Sequence, residues 1–217
     1  EERRRGLLAL AKTYGLPVFE DDCYADLTFD GQRPPALYAM DNDDRVIYCG
    51  SFSKTVAPAL RVGYLVAKPT FLARVLSYKT DAGSGALEQM VLAEFCPQHF
   101  DSHVKQLSTH LASKAEKTCS ALDKYFGSMA QYAKPKGGIF IWVKLPKIID
   151  TKRLAEVACE HGVSINPGVE WSSASDANCY IRLCFGYPDV TMIDEGIKLL
   201  AKICQTEFGQ PLHIANS

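Results

Sequence analysis

A chain of 217 residues holds one or two domains and can bury a sizeable core. With 24 Lys and Arg against 25 Asp and Glu, its formal net charge of −1 lacks the basic excess of a polyanion-binding surface, so no nucleic-acid partner is expected. The 47% hydrophobic and 23% charged content excludes a disordered chain, and the uncharged apolar runs are too short to span a membrane.

The pattern predicts a first helix over 2–14, with Leu7, Leu8, Leu10, Ala11 and Tyr14 on one side and Gly15 as its stop. Pro17-Val18-Phe19 starts a short strand that runs into Glu20-Asp21-Asp22. Residues 31–35 read as loop. Val46-Ile47-Tyr48-Cys49 is a near-continuous apolar strand, as in a sheet covered on both faces, and Val62–Ala67 is another. Pro69 suits the first turn of a further helix. Helices are expected over 86–95 and about 98–126, then a turn at Lys134–Gly138 and a strand over 139–145. A helix over 151–161, short strands at 163–165 and 180–185, a helix over about 190–206 and a polar, fraying end complete the chain. Strands alternating with helices over 1–95 imply an α/β layer with a mostly parallel sheet, and 96–217 reads as a smaller α+β unit joined to it by the long helix.

Eight cysteines occur without a Cys-x-x-Cys pair or a secretion signal at the start of the chain. Free thiols in a reducing cytoplasm fit better than a disulfide framework. His99 and His103 are spaced i,i+4 on a helix, but no carboxylate partner accompanies them, and no metal site is assigned. The run Arg3-Arg4-Arg5 reads as the solvated face of the first helix. Glu1–Arg5 flows straight into an apolar pattern, so the chain is expected to be the later part of a longer protein.

Four segments carry chemistry. Ser51-Phe52-Ser53-Lys54, followed by Pro58-Ala59-Leu60-Arg61, stands at the carboxyl end of the 46–49 strand, where open α/β sheets place their sites. An amine, two hydroxyls and a guanidinium suit a phosphorylated aldehyde. The amine would form a Schiff base, and the others would hold the phosphate. The plain alternative is a polar loop with a solvated lysine. Glu20-Asp21-Asp22-Cys23-Tyr24 is either a turn or a carboxylate and phenol placed to face a pyridine ring; Lys54 follows Asp21 by 33 residues, room for one intervening strand. Arg182 within Tyr180–Gly186 is either a solvent-facing member of an alternating strand or a fork for a carboxylate. Pro135-Lys136-Gly137-Gly138, before Phe140 and Trp142, is by itself a hinge signal.

Together, Glu20-Asp21-Asp22-x-Tyr24, Ser51-x-Ser53-Lys54-x-x-x-Pro58-x-Leu60-Arg61, Pro135-x-Gly137-Gly138-x-Phe140-x-Trp142 and Arg182-Leu183-x-Phe185 resemble the class I/II, fold-type I, pyridoxal-phosphate aminotransferases. The similarity is to the 2-aminoadipate and broad-specificity transaminases, and it runs through the whole chain in order. The fold implied is α/β: the later part of a large mixed-sheet cofactor domain over 1–95, and the connecting helix with a small α+β C-terminal domain over 96–217. The activity implied is amino transfer between an amino acid and a 2-oxo acid, in a cytoplasmic homodimer. By the resemblance, Lys54 is the Schiff-base lysine and proton shuttle, Asp21 pairs with the pyridine nitrogen and Tyr24 with the ring oxygen. Ser51, Ser53 and Arg61 bind the phosphate, and Arg182 takes the substrate α-carboxylate. Trp171 and Glu170, in Asn166–Trp171, are implied near the substrate entrance. Ala59 stands where the family often has Gly. The family's upstream Asn-Pro, ring-stacking aromatic and phosphate-binding Gly turn have no counterpart in these residues. A regulator domain that binds the same cofactor to sense an effector, or an inactive fragment, remains an alternative at this stage.

Overall fold

A computed structural model describes residues 1–209 of the chain, which fall into two compact units, one over Glu1–Ser108 and one that begins at Thr109. The expected fraying end, 210–217, lies outside the described residues.

In the first unit, helix α1 (Glu2–Thr13) ends at Tyr14 and Gly15, where a positive φ of 66° lets the chain turn so that Leu16 N donates to Ala11 O at 2.9 Å. Strands β1 (Val18–Asp21) and β2 (Val46–Ser51) are parallel neighbours, and β3 (Gly63–Val66) pairs antiparallel with β2. The sheet is therefore mixed, as the family resemblance implies, rather than mostly parallel. Between β1 and β2 lies the single-turn helix α2 (Leu37–Met40). Glu20 of β1 is buried, and its carboxylate accepts from Leu37 N at 2.8 Å and Tyr38 N at 2.9 Å while pairing with Arg4 Nη1 at 3.1 Å. One acid thus supplies the acceptor that α2 lacks at its own start and ties it to α1. Asp41 does the same for the start of β2, accepting from Asp43 N, Arg45 N and Val46 N.

Val46, Ile47 and Tyr48 of β2 are buried, whereas β3 and much of the apolar side of α1 are exposed. Ala11 is the one fully buried residue of α1, and Leu10 remains 57% accessible. An apolar run reports tendency to be covered; it does not say that the described residues do the covering. Helix α3 (Pro69–Tyr78) follows with Pro69 at its first position. Helix α4 (Ala86–Tyr125) is one 40-residue element, and the division between the units falls within it. Sequence reading breaks it at Pro97, but a proline removes only one N–H from the ladder, and the helix-forming residues on both sides carry it through.

The second unit is built on a four-stranded antiparallel sheet. Its order is β4 (Gln131–Tyr132), β5 (Phe140–Lys144), β7 (Tyr180–Cys184) and β6 (Asn166–Pro167). The two-residue period sorts the faces. Ile141, Val143, Ile181 and Leu183 are buried, together with Leu154 and Ala158 of α5 (Thr151–Glu160) and Ile193, Ile197 and Leu200 of α6 (Val190–Phe208). Asp150 caps α5 by accepting from Lys152 N and Arg153 N, and the His161 ring lies 2.9 Å from Val157 O at its other end. The short strand expected at 163–165 forms at Asn166–Pro167 instead, because that is where pairing with β7 begins.

Candidate active site

One candidate cluster sits at the carboxyl ends of β1 and β2 of the first unit. Asp21 is opposite Cys49 in the parallel register, and Ser51 ends β2 two residues later. Adjacent strands and a two-residue rise put Asp21 and Ser51 backbones within about 8 Å. The three consecutive acids separate by their neighbours. Glu20 is committed to α2 and Arg4. Asp22 is paired with Arg33 Nη2 at 2.9 Å. Asp21 is exposed and makes no ion pair among the described residues; the Cys23 thiol is its hydrogen-bond partner.

Arg33 is a residue that sequence reading leaves in an undistinguished loop. Its guanidinium also donates to Asp26 at 2.8 Å and to the Tyr48 hydroxyl at 2.7 Å. It clasps the turn after β1 to β2 and so fixes the segment bearing Asp21 and Tyr24. Burial, and then the Asp22 carboxylate, push the Tyr48 phenol well above its ordinary range, so it stays a neutral partner in this clasp. Tyr24 is half-buried within the turn, its carbonyl accepting from Leu27 N at 3.0 Å.

The loop between β2 and β3 carries the amine. Phe52 N donates to Val62 O at 3.2 Å and Ser51 faces Gly63, so residues 52 and 62 close a neck. Inside it, Ser51 Oγ accepts from Ser53 N at 3.1 Å, and Val56 N returns to Phe52 O at 2.9 Å. The neck returns the chain to the end of β2 directly after Arg61. Arg61 has φ 52° and ψ 38°, a left-handed backbone that a non-glycine residue holds only where the surroundings enforce it. Its guanidinium donates to Pro58 O at 3.3 Å. Neither Lys54 nor Arg61 pairs with a carboxylate among the described residues, and both are exposed.

Cys23 reports how Asp21 and Lys54 are placed. Its thiol is pushed up to about 11 by burial, then by its hydrogen bond to Asp21 and that residue's charge, while the charge of Lys54 pulls it down. An amine and a carboxylate thus bear on one thiol at the strand ends.

In the second unit, Arg182 lies on the face of β7 opposite the buried core, in register with Trp142 of β5 and Asn166 of β6. Its Cζ stands 4.0 Å from the Phe140 ring centre and 3.1 Å from that of Trp171. Nη2 donates to Asn166 Oδ1 at 3.4 Å, and Nε is buried without a partner. The strand alternates and Arg182 is on its open side, with aromatic rings flanking the guanidinium. Among the described residues no group of three His, Cys, Asp or Glu side chains is arranged to hold a metal, and no helix is long and apolar enough to cross a membrane.

The family profile described as "Aminotransferase class I and II" matches residues 2–199. The aromatic-amino-acid aminotransferase 1 of Thermococcus litoralis is 32% identical over 96% of this chain and 51% of its own length. An uncharacterized HTH-type transcriptional regulator of Bacillus subtilis, YisV, is 34% identical over 93% of this chain and 42% of its own. Among solved structures, the α-aminoadipate aminotransferase LysN of Thermus thermophilus, complexed with N-(5′-phosphopyridoxyl)-L-leucine, superposes with a TM-score of 0.85 at 32% identity. That match covers 94% of this chain and 54% of LysN. The chain spans about half the length of these relatives. With nearly its whole length matched by the family and by the mixed-sheet fold of fold-type I enzymes, the chain belongs to the class I and II aminotransferases, whose cofactor is pyridoxal 5′-phosphate.

Proposed function

We propose that this chain serves amino-group transfer between an amino acid and a 2-oxo acid, with Lys54 as the residue that bonds the cofactor. The observation that carries the reading is the placement of Asp21 and Ser51 at the carboxyl ends of two parallel strands, with Lys54 and Arg61 in the loop that Phe52 N and Val62 O close. The donor set fits the group: one carboxylate, one phenol, one amine, two hydroxyls and a guanidinium without an acidic partner. When bound, pyridoxal phosphate supplies an aldehyde that condenses with amines and a pyridine ring that accepts electron density.

Each residue then has a defined task. Asp21 keeps a proton on the pyridine nitrogen, and Tyr24 hydrogen-bonds the ring oxygen. Ser51 and Ser53 hydroxyls and the Arg61 fork bind the phosphate. Lys54 Nζ would bond the cofactor and, as a free amine, would be the base that moves the proton at the substrate Cα. Arg182 binds the carboxylate that every amino acid and 2-oxo acid shares. The donor's oxo product leaves before the acceptor enters the same place, which gives ping-pong kinetics. A cytoplasmic homodimer fits this reading through the family.

The experiment is turnover with amino-acid donors and 2-oxoglutarate as acceptor. Ping-pong kinetics abolished by Lys54→Ala are expected, and turnover that survives Lys54→Ala contradicts the reading. A second reading, an effector-sensing module of a transcription regulator, is favoured by the 34% identity with YisV across 93% of this chain. It uses the same cofactor-holding residues and predicts binding without sustained turnover.

A further inference from the structure

Arg182 is held in a way that a strand arginine serving only solubility has no need of. Trp171 reaches it from a turn whose shape leaves no slack. After Pro167 the chain enters a 3-10 turn at Gly168–Glu170, and Trp171 N and Ser172 N both return to Gly168 O, at 2.9 and 3.0 Å. A Cβ on Gly168 would lie 2.4 Å from Ala177 O and 2.9 Å from Tyr180 O, so backbone from two directions pins the turn. Phe140 approaches from β5, one pleat away from Trp142, the residue directly opposite Arg182. Trp171 itself is 52% exposed, so it contributes little to the core. Its ring nevertheless sits 3.1 Å from the guanidinium carbon.

A free arginine side chain loses rotamer entropy when it grips a ligand. Two rings and Asn166 remove that freedom in advance. A buried N–H without an acceptor is unfavourable until a ligand supplies one. In Arg182 that orphan is Nε, which with a neighbouring Nη forms the side-on edge that matches both oxygens of a carboxylate.

We propose that Trp171 and Phe140 are positioning residues that hold the Arg182 guanidinium fixed and partly dehydrated, with its Nε edge presented to the carboxylate of the amino-acid or 2-oxo-acid ligand. The inference rests on the carboxylate role of Arg182 proposed above. It assigns the affinity for that carboxylate partly to two aromatic residues that never touch it.

The test is calorimetric titration of the full chain with 4-methylpentanoate, using 4-methylpentanamide as the uncharged control. The wild type binds the acid and not the amide. Trp171→Ala weakens acid binding about tenfold, between the exposed and the fully desolvated cation–π contact, and Trp171→Phe restores it to within about threefold. Arg182→Lys also weakens binding, and adding Trp171→Ala to it costs clearly less than in the native chain, because an ammonium keeps only part of the ring contact and none of the planar fork. Equal loss on Trp171→Ala in the native and Arg182→Lys backgrounds overturns the proposal, since that is what a purely structural tryptophan gives. Unchanged affinity in Trp171→Ala overturns it too, as does equal binding of acid and amide. The titration uses no cofactor. Acid binding with the expected cycle supports the clamp even if Lys54 proves not to bond pyridoxal phosphate. Loss of the cycle with Lys54 intact removes the clamp alone.

Discussion

Glu20, Asp21 and Asp22 are adjacent in sequence and alike in chemistry, yet each has a different set of neighbours. Glu20 is buried and answers two backbone N–H groups and Arg4, so Glu20→Gln is expected to cost about 1–3 kcal/mol of stability, read as a lowered melting temperature with cofactor affinity little changed. Asp21→Asn should do the reverse, leaving the melting temperature of the cofactor-free chain nearly unchanged and weakening pyridoxal phosphate binding. If the two variants exchanged these effects, the assignment of Asp21 would be wrong. Cys23 offers a second check. With its thiol pushed up to about 11, only about one molecule in a hundred carries the thiolate at pH 9, where an ordinary cysteine is about half ionised or more. Iodoacetamide should therefore modify it slowly at pH 9 and quickly only as pH approaches 11, and Asp21→Asn should shift that profile to lower pH. The sequence names the acidic cluster and the amine, but which of three acids stays out of an ion pair depends on Arg4 and Arg33, whose partnerships no spacing rule reveals.

At the scale of elements, two short connections do the positioning. The Arg33 clasp joins the turn after β1 to Tyr48 of β2. Arg33→Ala should loosen Asp21 and Tyr24 together, seen as faster amide exchange over residues 21–26 and weaker cofactor binding, with a smaller effect for Arg33→Lys. Unchanged exchange would contradict the clasp. The turn at Gly168 is the counterpart in the second unit. Gly168→Ala must move backbone rather than a side-chain tip, so a destabilisation of about 1–3 kcal/mol is expected in denaturant titration. Strands β1, β2, β5 and β7 and helices α1, α5 and α6 were legible because apolar periodicity and end signals agree there. Three features were not. Pro97 hid the continuity of α4, since local rules count the lost hydrogen bond and not the helix on either side. The exposure of β3 was invisible because periodicity records which face is apolar and not what covers it. The shift of β6 to Asn166–Pro167 followed from its pairing partner, a non-local fact.

Across the whole molecule, the near-neutral charge, eight free thiols and two compact units set what can be measured on the chain as it stands. Cys159 and Cys184 are exposed, while Cys119, Cys179 and Cys204 are buried, and burial pushes the Cys204 thiol up to about 12. A thiol-reactive disulfide reagent should titrate Cys159 and Cys184 first and reach those three only on unfolding. Early reaction of Cys204 would contradict the packing of α6. The fold class was readable because the family's motifs run through the whole chain in sequence order. The stacking of Trp171 and Phe140 on Arg182 was not readable, because it depends on cross-strand register and on the return of one turn. The central claim, that Lys54 bonds the cofactor in a pocket shaped by Asp21 and Arg61, is tested most directly by mixing the chain with pyridoxal phosphate, reducing with borohydride and mapping the pyridoxyl-bearing peptide. The account predicts a label confined to Lys54 and lost in Asp21→Ala and Arg61→Ala; a label spread over several lysines, or absent from Lys54, would contradict it.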